Sequence, residues 1–346
     1  MAALPEPIHQ TKGMIFRWYE EKNEAESMRP YLGASIIGHN CRRYLWLSFR
    51  WALKSKFDGR LLRLFSTGHR EEGRIVEELR GIGCQVWETD LNTGDQFEIT
   101  DCNGHFKGHL DGKALGLPEA PMTVHVLEFK THNTKSFSEL KTKKVKDSKP
   151  MHWAQMQVYM FKENLERAMY IAVCKETDDL YVERVELDAH AARALIDKAQ
   201  TIIEMDEPPP RISEDPSWFS CKWCDMHPIC HGTTAPLPNC RTCAHSTPVE
   251  AGEWNCTKYE CEIPLLNQSH GCDSHRYIPI TLEKFAEMDD VDGDEVIYKN
   301  KLTGNTFSNG KGFLSREIHA CADKRALGDA GVNAFRSELG DNEVIG

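Results

Sequence analysis

Three residues near the middle of the chain combine types that can hold a divalent ion beside a phosphodiester: Asp111 in GHLDG, then Glu128 and Lys130 in VLEFKT. Glu128 and Lys130 stand two positions apart, so on a strand both side chains leave the same face. A neighbouring strand carrying Asp111 would bring a second carboxylate to that face. Two carboxylates offer hard oxygens to a magnesium or manganese ion, and the backbone carbonyl of Phe129 adds a further ligand. The Lys130 ammonium is then placed to orient an attacking water or to offset charge on a phosphate. Taken singly, EFK also reads as a strand-end ion pair and LDG as a common turn. Two helical segments support the sharper reading: Gln155 and Tyr159 in AQMQVYM are four apart and share a helix face, and GHREE carries a glutamate after Gly68 and His69.

Thiols form a second kind of pattern. SCKWCDMHPIC sets Cys221, Cys224 and Cys230 at C-x2-C-x5-C spacing after the stiff exit DEPPPR. Tetrahedral ions and cubane clusters take four protein ligands, so this trio lacks one. Downstream, Cys240 and Cys243 form a C-x2-C knuckle, followed by Cys256, Cys261, Cys272 and His275. One zinc needs four of these; the expected set is Cys240, Cys243, Cys256 and Cys272, because GCDSH offers a glycine-assisted turn like the first knuckle. Cys261 and His275 remain alternates. A segment so short and polar has little core without a metal. Cys84, Cys102, Cys174 and Cys321 read as isolated thiols. The odd total of 13 cysteines, in a chain rich in amphipathic segments, favours metal binding in a reducing compartment over a secreted disulfide scaffold.

The elements that must position these groups follow from periodicity. RLLRLFSTGHREEGRIVEELRGIG spaces its apolar residues for a helix, with Gly81 and Gly83 as the stop. DQFEIT reads as a strand, DCNG as a turn and HFKGHLDGKAL as the returning strand. MTVHVLEFKT reads as a buried strand; a lysine-rich loop follows, and MHWAQMQVYMFKENL is helical. AMYIAVCKE and LYVERVEL form a hairpin about TDD, and DAHAARALIDKAQTIIEM is a helix. The tail holds a hairpin turning at Thr303 and Gly304 and a short terminal helix.

A chain of 346 residues suggests two or three units. No apolar run is long enough to span a bilayer, and MAALPEPIHQTKG lacks the basic and apolar regions of a leader, so a soluble cytosolic protein is expected. The net charge of -11 disfavours a polyanionic partner, yet basic residues cluster. Arg42, Arg43, Arg50, Lys54, Lys56, Arg60 and Arg63 form one tract; Lys130, Lys135, Lys141, Lys143, Lys144, Lys146 and Lys149 form another. Such tracts read either as solvated surfaces or as a local phosphate-binding groove. No GxxxxGK[ST] loop occurs, so a helicase motor would have to come from a partner.

Together these residues resemble the PD-(D/E)XK nuclease superfamily, and within it the RecB-like exonuclease branch, over residues 35–231. Asp111 matches the isolated acid, Glu128 and Lys130 the E-x-K pair, and QMQVY the Q-x-x-x-Y helix motif; the proline of the superfamily's name is absent, since His109 and Leu110 precede the aspartate. GHREE is similar to the motif in which a glycine precedes a further metal-site residue, which implies Glu72, with Glu71 and His69 as competitors. Iron–sulfur members of the branch, such as CRISPR-adaptation exonucleases and the AddB nuclease domain, carry one cysteine before the core and C-x2-C-x5-C after it. By that resemblance Cys41, in SIIGHNCRRYLW, joins Cys221, Cys224 and Cys230 around a [4Fe-4S] cluster, with a zinc site as the other reading of the same thiols. Borrowing the cross-link formula for disulfides, closing a loop of about 180 residues stabilises by on the order of 5 kcal/mol.

The resemblance implies an α/β, restriction-endonuclease-like core: a central mixed sheet flanked by helices, clasped by the cluster at 35–235. An N-terminal segment at 1–34 precedes it; a zinc-binding module at 236–280 and an α+β tail at 281–346 follow. The implied function is metal-dependent exonucleolytic hydrolysis of single-stranded or end-exposed DNA, with 5′ to 3′ polarity. Gln155 and Tyr159 would orient substrate and lysine. Arg42, Arg43, Lys135, Lys141, Lys143 and Lys144 would bind DNA, with Phe137 lining the strand path. A compact, motorless chain suits a phage-encoded recombination enzyme working with a separate helicase or recombination partner. The rival reading is a non-catalytic protein that binds nucleic acid through its basic tracts; an iron–sulfur electron carrier fits the thiol spacing less well.

Overall fold

MTVHVLEFKT becomes a central strand because its apolar and β-branched residues can be covered on both faces. The computed structural model describes residues 10–321 and 324–330. Residues 1–9, read above for a leader, and the final stretch 331–346 lie outside the described residues. The chain divides into two units: Met1–Arg29, Ser55–Ile99 and Lys107–Ile196 form unit 1, and Pro30–Lys54, Thr100–Phe106 and Asp197–Gly346 form unit 2. Residues 35–235 are thus shared between the two units, while 236–280 and the tail fall in unit 2 with Pro30–Lys54.

Unit 1 is built on a five-stranded mixed sheet. Its strands are β1 (Gln85–Trp87), β2 (Gly112–Leu115), β3 (His125–His132), β4 (Arg167–Cys174) and β5 (Leu180–Glu186), ordered β1-β2-β3-β4-β5. β3 and β4 run parallel and the other neighbours antiparallel. The helices are α1 (Thr11–Glu24), α2 (Gly59–Gly81), α3 (Thr134–Ser148) and α4 (Pro150–Lys162). α2 begins where Asp58 caps the Leu61 N–H, satisfying an orphan donor. Ile75, Val76 and Leu79 of α2 join Leu127 and Phe129 of β3 in the core. By alternation, Glu128 and Lys130 leave the opposite face.

Two departures from the sequence expectation bear on the candidate site. The strand expected over HFKGHLDGKAL breaks into Phe106–His109 and β2, and only β2 enters the central sheet; Phe106–His109 pairs with Glu98–Asp101 in a separate small sheet. The break falls at Leu110 and Asp111, beside Gly112, where a Cβ would lie 2.8 Å from the Trp87 carbonyl oxygen. The lysine-rich segment is no loop. It is α3, capped by the Asn133 side chain and interrupted at Lys144, whose φ of 62° departs from helical geometry. Phe137, Leu140 and Val145 give the helix a buried stripe beneath its lysines.

In unit 2 the helix Arg42–Phe49 and the cysteine-rich segment are joined by a buried cation. Arg241 donates to Phe49 O at 3.2 Å, Pro30 O at 2.9 Å and Gln268 Oε1 at 2.9 Å, and stacks over the Trp51 ring at 3.8 Å. A guanidinium so fully paired can be buried where a bare charge could not. The tail forms the antiparallel sheet Ala286–Asp292, Glu295–Asn300 and Thr306–Asn309, with the expected turn at Gly304 and a short helix, Ser315–Ala320. Tyr277, Phe285, Tyr298 and Phe307 lie in its core.

Candidate active site

The break before β2 turns Asp111 towards β3. Its Oδ2 accepts a 2.7 Å hydrogen bond from the Phe129 N–H, so the carboxylate is anchored to the strand that carries Glu128 and Lys130. The Lys130 Nζ lies 4.0 Å from Asp111 Oδ2, donates to the Phe129 carbonyl at 3.0 Å and forms an ion pair with Glu128. Asp111, Glu128 and the Phe129 carbonyl therefore surround one positive charge.

Glu128 is wholly buried, and despite its ion pair neither carboxylate oxygen receives a hydrogen bond of acceptable geometry among the described residues. Burial raises its pKa to about 7, Lys130 opposing and Asp111 adding to the rise. Burial also works against the Lys130 ammonium, but Glu128 and Asp111 outweigh it and hold the lysine protonated. On α2, burial and the Asp111 charge lift Glu72 above the usual carboxylate range, while His69 and Lys130 oppose this. Glu72 thus lies within electrostatic reach of the pair, whereas Glu71 is engaged with Arg74 at 3.3 Å. Three carboxylates against one ammonium leave an excess of negative charge at a partly buried site, which favours a divalent cation.

Gln155 and Tyr159 are buried on α4, where the glutamine Nε2 donates to the tyrosine hydroxyl at 3.1 Å. Burial, then the Glu128 charge, raises the Tyr159 pKa, so this phenol stays a neutral donor near the carboxylates. Sequence reasoning missed a second buried group. Tyr170 is the register partner of Glu128 on β4, and its hydroxyl meets His132 Nε2 and His152 Nδ1, each at 2.9 Å. Burial and then neighbouring lysines depress both imidazoles, to about 4 for His132 and, with Lys130 first among them, to about 3 for His152. The network is therefore neutral and buttresses the strand behind Glu128. Only the parallel register of β3 and β4 could have pointed to Tyr170.

Lys135, Lys141, Lys143 and Lys144 are exposed on α3, which starts two residues beyond the end of β3. Lys141 pairs with Asp179 at 2.7 Å and Lys143 with Glu139 at 3.0 Å, exposed pairs weak enough to exchange for a phosphate. Phe137 cannot stack on a base, because it is buried beneath this helix. In unit 2, Arg42 is exposed, whereas Arg43 is buried, donating to Pro209 O at 3.3 Å and pairing with Glu283 at 3.0 Å. Arg43 thus presents no surface to DNA.

Cys41, Cys221, Cys224 and Cys230 line one cavity, and Cys240, Cys243, Cys256 and Cys272 line another; each has a volume of about 20 Å³. The residues of each set are drawn to a common space, although they are distant in sequence. Among the described residues no three His, Cys, Asp or Glu side chains are close enough to coordinate an ion as they stand. Arg43 and Arg211 face the first cavity, and Arg211 Nε donates to the Cys230 carbonyl at 2.7 Å. Both guanidiniums favour the Cys230 thiolate, although burial is the larger influence and raises its pKa. No described helix is long and apolar enough to cross a membrane.

The chain matches no protein-family model and no curated protein. Among solved structures it is similar to SSO0001, at 13% identity and a TM-score of 0.39, over 64% of this chain and 96% of that one. It is also similar to the alkaline exonuclease LHK-Exo from Laribacter hongkongensis, at 15% identity and a TM-score of 0.34, over 54% of this chain and 90% of that one. The complex of LHK-Exo with dAMP gives 15% identity and a TM-score of 0.37, over 55% and 90%. At these identities and TM-scores, assignment of function rests on the chain's own geometry.

Proposed function

We propose that the protein is a metal-dependent deoxyribonuclease of the RecB-like, iron–sulfur kind, acting on single-stranded or end-exposed DNA. One observation carries the reading: Asp111, Glu128 and the Phe129 carbonyl converge on a single cation, the Lys130 ammonium. Oxygens that gather round an ammonium are of the hard kind that magnesium or manganese takes, and the Glu128 oxygens, which receive no hydrogen bond of acceptable geometry among the described residues despite the ion pair with Lys130, fit such an ion. When bound, the ion would lower the pKa of a water and offset charge on the scissile phosphate.

The remaining roles belong to the chain. Asp111, Glu128 and Glu72 would hold the ion. With its carboxylate contacts taken over, Lys130 would turn its N–H donors to the attacking water or to a phosphate oxygen. Held on the protonated side, it donates and does not act as the base. Gln155 and Tyr159 are buried and hydrogen-bonded to each other, so they would orient Lys130 and the carboxylates and would not reach the phosphate. The α3 lysines track the backbone of the strand, which makes binding salt-sensitive. Polarity is proposed as 5′ to 3′, with strand opening left to a separate helicase or recombination partner.

The thiols of Cys41, Cys221, Cys224 and Cys230 would hold a [4Fe-4S] cluster, with Arg43 and Arg211 offsetting its negative charge. Colourless protein carrying zinc at these four thiols would replace the cluster with a structural ion.

The reading is tested by incubating purified protein with end-labelled single- and double-stranded DNA and each divalent ion in turn. Progressive shortening from an end in magnesium or manganese is expected. Binding without cleavage under every ion would leave the non-catalytic alternative in its place.

A further inference from the structure

We propose that Cys240, Cys243, Cys256 and Cys272 bind a structural zinc ion, at a site distinct from both the carboxylate centre and the Cys41 cavity. Three short segments bring these thiols to one space. Cys240 and Cys243 stand at the two ends of a single turn, held by the Asn239 side chain, which accepts from the Arg241 and Thr242 N–H groups. Cys256 ends the strand Trp254–Cys256, paired across from Ser246. Cys272 follows Gly271, where a Cβ would lie 2.6 Å from the Pro238 carbonyl oxygen. Glycine therefore lets this segment pass against the chain entering the Cys240 turn.

All four cysteines line one cavity. The Arg276 N–H points at Cys243 Sγ from 3.5 Å, a donor that favours a thiolate over a thiol. Four thiolates from three segments are the ligand set of a closed, tetrahedral zinc site. Here the four line the cavity without reaching one point, so binding turns them inward.

The two alternates fare differently. Cys261 sits opposite Cys256 in the hairpin; it is exposed, as Cys272 is, but unlike Cys272 it does not line the cavity. His275 lines the cavity with its Nε2 engaged by Thr242 Oγ1 at 3.2 Å, but its buried Nδ1 has no hydrogen-bond partner among the described residues, so it stays the alternate ligand.

The test is metal content per chain together with alkylation of the native protein, read by peptide mapping. One zinc is expected, independent of any iron. Cys240, Cys243, Cys256 and Cys272 should be protected until zinc is chelated, while Cys261 is labelled at once. Cys256→Ser and Cys272→Ser should each lower zinc more than tenfold with iron unchanged, and Cys261→Ser should keep the full complement. Should those variants fail to fold, the protection pattern of the wild type decides alone. Protein without zinc after equilibration with the ion, or protection of Cys261 in place of Cys272, overturns the assignment. Because no readout involves DNA, failure here is distinguishable from failure of the nuclease reading.

Discussion

Glu128→Gln isolates the central electrostatic claim, because glutamine has the shape of the protonated carboxyl and cannot ionise. Folding moves the Glu128 pKa from 4.5 to about 7, which at about 1.4 kcal/mol per pH unit costs about 3 kcal/mol once the group is charged. The folded carboxyl binds its proton more tightly than the unfolded one, so between pH 4.5 and about 7 the folded state holds more protons. Stability therefore falls as pH rises through that window, and the full loss persists above it. The variant lacks this dependence. Relative to wild type it should gain about 3 kcal/mol between pH 4.5 and about pH 8, in the absence of divalent ions. Hydrogen exchange of peptides from β3 and β4, corrected for intrinsic rates, reads the local stability of unit 1 without averaging over unit 2. Magnesium or manganese should restore the wild type above pH 7 and leave the variant unchanged. A stability difference that stays flat across the window would show that Glu128 is not held in a desolvated, ion-hungry site, and would refute the reasoning.

Two further outcomes follow from the same geometry. Lys135→Gln with Lys144→Gln on exposed α3 should weaken DNA binding and reduce the salt slope by about one to two, measured by fluorescence anisotropy at several salt concentrations; an unchanged slope would remove α3 from the strand path. Cys230→Ala should lose both iron and acid-labile sulfide, whereas wild-type protein should be brown.

Much of the site was legible because strands impose a period of two. Glu128 and Lys130 had to share a face, and the apolar run around them could be placed only as a buried strand. Asp111 was legible as a residue, but its setting was not: a continuous strand was expected, and the strand instead breaks at Leu110 and Asp111, just before Gly112 packs against Trp87. The α3 helix was hidden by the density of its lysines, and its buried stripe is short. Arg43 looked like a phosphate ligand because local sequence cannot reveal burial; Pro209 and Glu283, its partners, lie far along the chain. Tyr170 was invisible for a similar reason, since its relation to Glu128 exists only through the pairing of two strands separated by α3 and α4. The cysteine sets were readable as spacing, and the cavities they share depend on long-range packing.

The central claim is that Asp111, Glu128 and Lys130 together cut a phosphodiester, and Lys130→Ala tests it most directly. Removing the ammonium frees the oxygens it now holds while leaving them in place. Cleavage of end-labelled DNA in manganese should fall by about 10²-fold or more, with DNA affinity nearly unchanged and manganese binding retained or tightened. Cleavage at the wild-type rate would contradict the account.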